Sequence, residues 1–374
     1  MSARLSRLLL AAGFLVALAV RLWLLAGFHG NYDTESYALV AEIARTGGDL
    51  YRDTTRYNYS PLWAGVCVAV EGAARTLGTS PIPVFGALLL LADLATAVLV
   101  FVLARRRRSA EAAALAALLF FANPVSILVS SRHLQFDGLA ILFLLAAILF
   151  SERARDVSAA AALSVSLLIK HVTGLHPLLF RRRPGAKGLL PVVAPYLVFA
   201  ASLLPYARSW RDILQNVVLY RGVTGNYGIE VMVLIPGVPD WAPVPIFFAA
   251  VAVAIVRLSR VELVRASLLL FLVILVFAPG FGRQYCVWPI ALGALFAGPG
   301  FYLYSVVAGA FLVGAIFPEA RAAVSLPGWY GPFWASVAWL AWELRGTRRA
   351  RQDAAAAGEV KVKIPAGPHG TVKR

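Results

Sequence analysis

The chain has 374 residues, 60% hydrophobic and only 14% charged, with a mean hydropathy of +0.74, far from the balance of soluble domains. Apolar windows of about 17 to 25 residues, the length a helix needs to span a bilayer, recur from Leu8 almost to the C-terminus and leave no room for a soluble catalytic domain. The formal net charge of +16 does not point to nucleic acid, because Lys and Arg fall in short clusters between apolar segments rather than along one polar face.

These clusters read as topology signals. Arg4/Arg7, Arg105 to Arg108, Arg153/Arg155, Arg181 to Lys187, Arg257 to Arg265 and the residues from Arg345 onward are predicted to be cytoplasmic by the positive-inside rule. The chain is therefore predicted to be all-α, a polytopic membrane helix bundle with about twelve crossings, both termini inside, and interfacial helices in the outer loops. The run Leu8 to Gly27 lacks a small-residue cleavage site and is taken as an uncleaved first helix.

The first outer loop, Phe28 to Ser60, opens with "NYDTESY". Apolar Tyr37, Val40, Ala41 and Ala44, with charges between them, predict an interfacial helix. Asp33 and Glu35 sit at its start. They fit first-turn acids favoured by capping and the helix dipole, and Asp33 also fits a carboxylate that takes a proton from an incoming hydroxyl. Further on, "YRDTTRYNYSPLW" offers Tyr57, Asn58 and Tyr59, explicable as an aromatic belt or as the lining of a sugar pocket. Segment 61–78 carries Glu71 and Arg75, costly at the bilayer centre, so it is expected to lie in the interface or re-enter.

At the next outer tip, "SSRHLQFDG" places Arg132, His133, Gln135 and Asp137 within six residues. Arg132 suits a snorkelling anchor and Asp137 an N-cap, but such density of hydrogen-bonding groups at a membrane edge points to a site. Lys170 and His171 interrupt the next apolar hairpin. A buried lysine needs a partner, and a phosphate is the companion expected; the plainer alternative is a lysine reaching water. "WRDILQNVVLYRG" predicts another interfacial helix, ended by Gly222, with Arg221 at its end. Arg283, Gln284 and Tyr285 stand at a further tip. Each arginine suits an interface anchor, yet several cations on one outer face point to an anionic lipid head group.

Cys67 and Cys286 are the only cysteines and sit in apolar settings, so neither a disulfide framework nor a cysteine metal site is supported. There is no Walker A loop, dinucleotide Gly-rich loop, HExxH or GxSxG motif. No internal repeat favours an inverted-repeat transporter. Residues 346–374 are polar, alanine-rich and basic, and are expected to form a disordered cytoplasmic tail.

The order of these elements carries a resemblance. A first helix, a D-x-E pair opening the outer loop, Y-x-Y-S-P-L closing it, then "HLQFDG", "KHVTGLHP", "YRG" and "RQYCVWP" resemble the GT-C superfamily of integral-membrane glycosyltransferases. The nearest members are the mannosyl- and glucosyltransferases of GPI-anchor and N-glycan assembly and their bacterial relatives. The resemblance runs from about Leu8 to Trp288. It implies a GT-C-like membrane domain over 1–345 that moves a hexose, mannose favoured, with inversion. The implied donor is a polyprenyl-phosphate-linked sugar and the acceptor a hydroxyl of a lipid, glycan or protein, on the non-cytoplasmic side of a membrane, the bacterial plasma membrane favoured. It places the base at Asp33 and phosphate contacts on Lys170, Arg221 and Arg283. Beside Asp33 in the catalytic pair, Glu35 could help position the acceptor or bind a divalent metal; no cofactor is required, and the need for a metal is left undecided. A membrane transporter or lipid flippase is the alternative, expected to spread polar residues through the membrane thickness. A non-catalytic scaffold is the third reading.

Overall fold

The computed structural model describes residues 3–181, 185–220, 228–229, 235–320 and 331–360. Among these residues every regular element is helical, as the sequence predicts. In chain order the α-helices are α1 (Ala3–Ala26), α2 (Tyr32–Arg45), α3 (Pro61–Thr76), α4 (Pro81–Arg105), α5 (Ala110–Phe121), α6 (Pro124–Ile127), α7 (Asp137–Glu152), α8 (Asp156–Ile169) and α9 (Gly185–Leu203). They continue as α10 (Trp210–Ile213), α11 (Pro243–Leu258), α12 (Leu263–Phe277), α13 (Ile290–Ala294), α14 (Pro299–Ile316) and α15 (Gly331–Val360). Arg221 and Gly222 lie outside the described residues.

Among the described residues, four helices are long and apolar enough to cross a membrane, or five if the bent pair Ala110–Phe121 and Pro124–Arg132 is one span. Several of the other passages predicted from hydropathy are shorter apolar helices, Asp156–Ile169, Pro243–Leu258 and Leu263–Phe277 among them, so length alone does not fix the number of crossings.

One end of the bundle is held by charge. Arg107 bonds Glu152 at 2.6 Å and also pairs with Glu262, while Arg106 approaches Glu152 at 3.4 Å. This ties the end of α4 to the end of α7 and the start of α12. These are the basic clusters that the positive-inside rule assigns to the cytoplasm. At the opposite end the tips of α1, α7 and α8 gather with the start of α4: a Cβ on Gly86, in the second turn of α4, would meet Leu25 of α1 at 2.8 Å.

Segment 61–78 contains α3, which among the described residues is not one of the helices long and apolar enough to cross a membrane. Ser60, which caps α3, donates from Oγ to the Leu168 carbonyl in the last turn of α8 at 2.5 Å. The other end of α3 leads through a short turn into Pro81, at the start of α4. The helix is about 24 Å long at 1.5 Å per residue. Its buried stripe, Trp63, Ala64, Cys67, Val70 and Ala74, faces the bundle at helical spacing.

The bend between α5 and α6 has a local cause. In an unbroken helix the Val125 amide would donate to the Phe121 carbonyl; instead it donates to the Asn123 side chain at 3.0 Å, and Pro124 has no N–H to offer. The bend is 46°. The freed Phe121 carbonyl is taken by Arg21 of α1, from Nε at 3.1 Å and Nη2 at 2.9 Å. Beyond α6 the chain widens into a π-turn, Leu128–Arg132, which delivers His133 to the non-basic end.

Candidate active site

The site is assembled from the first loop, the tip between the π-turn and α7, the end of α8 and the segment before α13. Asn31 fixes the first part. Its Oδ1 accepts from the Thr34 amide at 2.9 Å, and Thr34 Oγ1 accepts from the Asn31 amide at 2.8 Å, a reciprocal capping box. Asp33 and Glu35 are thus first-turn acids but not the cap. Tyr37, one turn on, locks α2 down against Trp63, Phe85 and Phe136, with ring centroids 5.3 to 5.8 Å apart. The two carboxylates then diverge. Asp33 points back to the bundle, 3.8 Å from His133 Nε2, with a third of its side chain exposed. Glu35 is 70% exposed and meets Arg56 at 3.5 Å.

The tip 133–137 is conformationally unusual. Leu134 has φ of +52°, a left-handed conformation that costs a non-glycine residue on the order of 1 kcal/mol or more. It is held there by its own burial, by the Tyr37 hydroxyl on its carbonyl at 3.4 Å, and by the Gln135 amide bonding back to Val129. Gln135 is 1% exposed, and among the described residues neither atom of its side-chain amide has a hydrogen-bond partner. Such a group is costly to bury.

Asp137 is the first residue of α7 but is not its cap. It is fully buried, accepting from Lys170 Nζ at 2.6 Å on one oxygen and from Trp288 Nε1 at 2.6 Å on the other. This corrects two expectations at once. The cap role fails because the carboxylate turns inward to an ammonium, and Lys170 does not reach water, because it is buried against a carboxylate 33 residues earlier. The reason is physical: a lysine 4% exposed needs a countercharge in the folded protein itself. Lys170 also sits over Phe136 at 4.8 Å and Tyr59 at 5.4 Å.

Two cavities meet here. The larger, about 540 Å³, is walled by Phe199, Val217, Leu219, Phe247, Phe248 and Ile274 and receives Lys170, His171, Gln284, Tyr285 and Trp288. The smaller, about 140 Å³, is lined by Asp33, Ser36, Arg56 and Tyr57 among others. Asn58, Tyr59 and Tyr220 line both. Tyr57 is committed to structure, its hydroxyl donating to the Ser60 carbonyl and accepting from the Ala64 amide. Tyr59 packs edge-on to Phe136 at 4.9 Å and stacks toward His171 at 6.4 Å. Tyr285 stacks on Trp288 at 4.1 Å.

Two more of the predicted arginines, Arg132 and Arg283, are positioned by contacts within the protein. Arg132 lies over Phe28 and Phe317 at 5.4 and 5.1 Å. Arg283 donates to the Ala315 carbonyl at 3.0 Å, and its charge reaches His133. Burial, opposed by Asp33 and reinforced by Arg283, holds the His133 imidazole below its ordinary pKa, so it is neutral at pH 7. Among the described residues no group of three His, Cys, Asp or Glu gathers to hold a metal ion.

The turn after α9 is clasped onto the first loop. Ser209 Oγ donates to Asp49 Oδ2 at 2.6 Å, Asn216 Nδ2 donates to the Tyr51 carbonyl at 3.2 Å, and Tyr206 packs edge-on to Tyr51. Partial burial opposes ionisation of Asp49, but hydrogen bonds from Ser209 and from the Tyr51 and Arg52 amides outweigh it and hold the carboxyl below the usual range. A carboxyl depressed by folding lends stability that is present above its unfolded pKa of about 4 and is lost as pH falls through the folded value. We expect the 204–218 turn to become protease-sensitive on acidification below about pH 4 and Asp49→Asn to show that sensitivity at neutral pH. Equal resistance of wild type and variant would remove the clasp.

One polar cluster has no counterpart in the loop motifs. Arg21 in α1 is fully buried, 2.5 Å from Asp93 of α4, and also donates to Ser126, Ser130 and Ser131. The signal for it was a single charge inside each of two apolar runs, "AVRLW" and "LADLA", since charges within spans face the protein interior and pair.

Residues 84–181, which run from the first turn of α4 to just beyond Lys170, match the model of the ALG6, ALG8 glycosyltransferase family. That is a family of GT-C type membrane glycosyltransferases. The match contains His133, Gln135, Asp137 and Lys170, and supports the GT-C resemblance and an integral-membrane glycosyltransferase that uses lipid-linked donors. No curated protein and no solved structure matches the chain significantly.

Proposed function

We propose that the protein transfers a hexose, with inversion, from a polyprenyl-phosphate donor to an acceptor hydroxyl at the non-cytoplasmic face of the membrane. The observation that carries this is the pairing of cavities: Asp33 lines the small one, Lys170 the large one, and Asn58, Tyr59 and Tyr220 form their common wall. The large cavity, mostly apolar with an ammonium at its inner end, suits a lipid phosphate. The small one, with a carboxylate and hydroxyl-bearing rings, suits the acceptor.

In this reading Asp33 takes the proton of the acceptor hydroxyl. The acceptor oxygen bonds to the anomeric carbon on the face opposite the phosphate, and the phosphate leaves with the electrons of the broken C–O bond. No covalent sugar intermediate forms. Of the three N–H groups of Lys170 one goes to Asp137, leaving two for a phosphate oxygen. Because Asp137 offsets the charge of Lys170, the departing phosphate needs further cations, for which Arg283 and Arg221 are the candidates. Stabilising that charge is the larger electrostatic contribution. The basic clusters at the opposite end of the bundle support placing the reaction on the outer side.

The test is a panel of polyprenyl-phosphate hexoses, mannose and glucose first, offered to the purified protein with lipid, glycan and peptide acceptors. A glycosylated product with the anomeric configuration reversed is expected. Accumulation of a substrate in proteoliposomes without any glycosyl product would establish transport instead.

A further inference from the structure

We propose that His133 is a positioning residue for Asp33, presenting an Nε2–H to its carboxylate, and that Asn31, the cap of α2, sets the tautomer that makes this possible. The inference rests on the reading of Asp33 as the base.

The argument begins at the helix cap. Asn31 Oδ1 accepts from the Thr34 amide at 2.9 Å, so the oxygen end of that side chain is fixed by the capping box and its NH₂ must face the other way. It faces His133, with Nδ2 2.9 Å from the His133 carbonyl and 3.1 Å from His133 Nδ1. An NH₂ only donates. His133 Nδ1 is therefore an acceptor, and the single proton of the neutral imidazole belongs on Nε2. That nitrogen is the one facing Asp33 Oδ2, at 3.8 Å, within a small side-chain rotation of a hydrogen bond.

The setting keeps the ring in that form. Its side chain is 15% exposed, and the charged groups that act on it are Asp33 on α2, Arg283 before α13, and Asp137 and Lys170 at the tips of α7 and α8. The two carboxylates favour the charged ring and the two cations oppose it, burial is the largest influence and lowers the pKa, and the neutral tautomer is the working species around pH 7. A neutral N–H donor can hold one oxygen of Asp33 while the other stays free for the acceptor hydroxyl, without neutralising the base as a full positive charge would. This is the orienting role that a third group plays for a catalytic base.

Three variants of the full-length enzyme test it, with the polyprenyl-phosphate hexose that the wild type uses. His133→Gln returns an N–H near the Nε2 position and is expected to keep kcat within about 3-fold, while His133→Phe removes it and lowers kcat by about 10- to 100-fold, the loss of one hydrogen bond to a charged group, with KM for the donor little changed. Asn31→Asp is the sharper test, because Asp caps a helix as well as Asn but can only accept. It draws the imidazole proton to Nδ1 in the neutral ring, leaving Nε2 with a proton only when the ring is charged. Its kcat is expected to fall as pH rises through the imidazole pKa, in a range where the wild type is flat. Thermal unfolding in detergent separates folding from turnover; if His133→Phe does not fold, Asn31→Asp decides. Equal losses in His133→Gln and His133→Phe, or an Asn31→Asp profile parallel to wild type, overturn the proposal. Retained activity in Asp33→Asn overturns the reading beneath it instead.

Discussion

Asp33→Asn is expected to abolish glycosyl transfer while leaving the protein expressed and folded. The change is nearly isosteric and removes only the ability to take a proton, which is worth on the order of 100- to 10,000-fold in rate. Its structural cost is small: the cap of α2 is Asn31, and a first-turn acid contributes about 0.3 to 1 kcal/mol through the helix dipole. Single-turnover transfer from a polyprenyl-phosphate hexose measures the first effect, and thermal unfolding the second. Glu35→Gln is the paired control. With 70% of its side chain in solvent and its nearest charge on Arg56, it is expected to cost less than 10-fold, below the range of a general base. An Asp33→Asn enzyme at wild-type rate, or a Glu35→Gln enzyme that is dead, would move the base elsewhere.

The largest effect on stability is expected at Arg21. Arg21→Met leaves Asp93 buried without its countercharge and the Phe121 carbonyl at the α5–α6 bend without a donor. Breaking a buried pair from one side costs about 3 to 5 kcal/mol, and a stranded carbonyl adds about 1 to 3 kcal/mol. That is a large part of a typical margin of stability, so a marked drop in unfolding temperature and in yield is predicted. Replacing both partners, Arg21→Met with Asp93→Leu, removes the unpaired charge and should recover part of the loss. The Ser126 and Ser130 hydroxyls would still lose the Arg21 donor, and the Phe121 carbonyl would stay without one, so recovery is incomplete. If the single and double variants unfold at the same temperature as wild type, the cluster is not a structural clamp.

The loops were more legible than the spans. Asp33, Asn58, Tyr59, Lys170, His171, Gln284 and Tyr285 were each singled out from the sequence as polar or aromatic groups at outer tips, and the structure brings them to two adjoining cavities. In the sequence Asn31 is indistinguishable from an ordinary helix cap; only its second contact, 102 residues away on His133, gives it another role. Tyr57 stood out equally but spends its hydroxyl on the backbone. Arg21 and Asp93 lay inside runs read only for hydropathy.

What the sequence by itself determined is the class of the molecule and the polarity of its ends: an all-helical membrane chain, its cation clusters at one end and its unusual polar residues at the other. Hydropathy, periodicity and loop charge are local along the chain, and they suffice for that. Only the tertiary structure decided who pairs with whom. Asp137 meets Lys170 across 33 residues, Arg21 meets Asp93 across 72, and Asp137 meets Trp288 across 151. These partnerships depend on which helix faces are packed together, and a buried charge is stable only where that packing has placed its opposite.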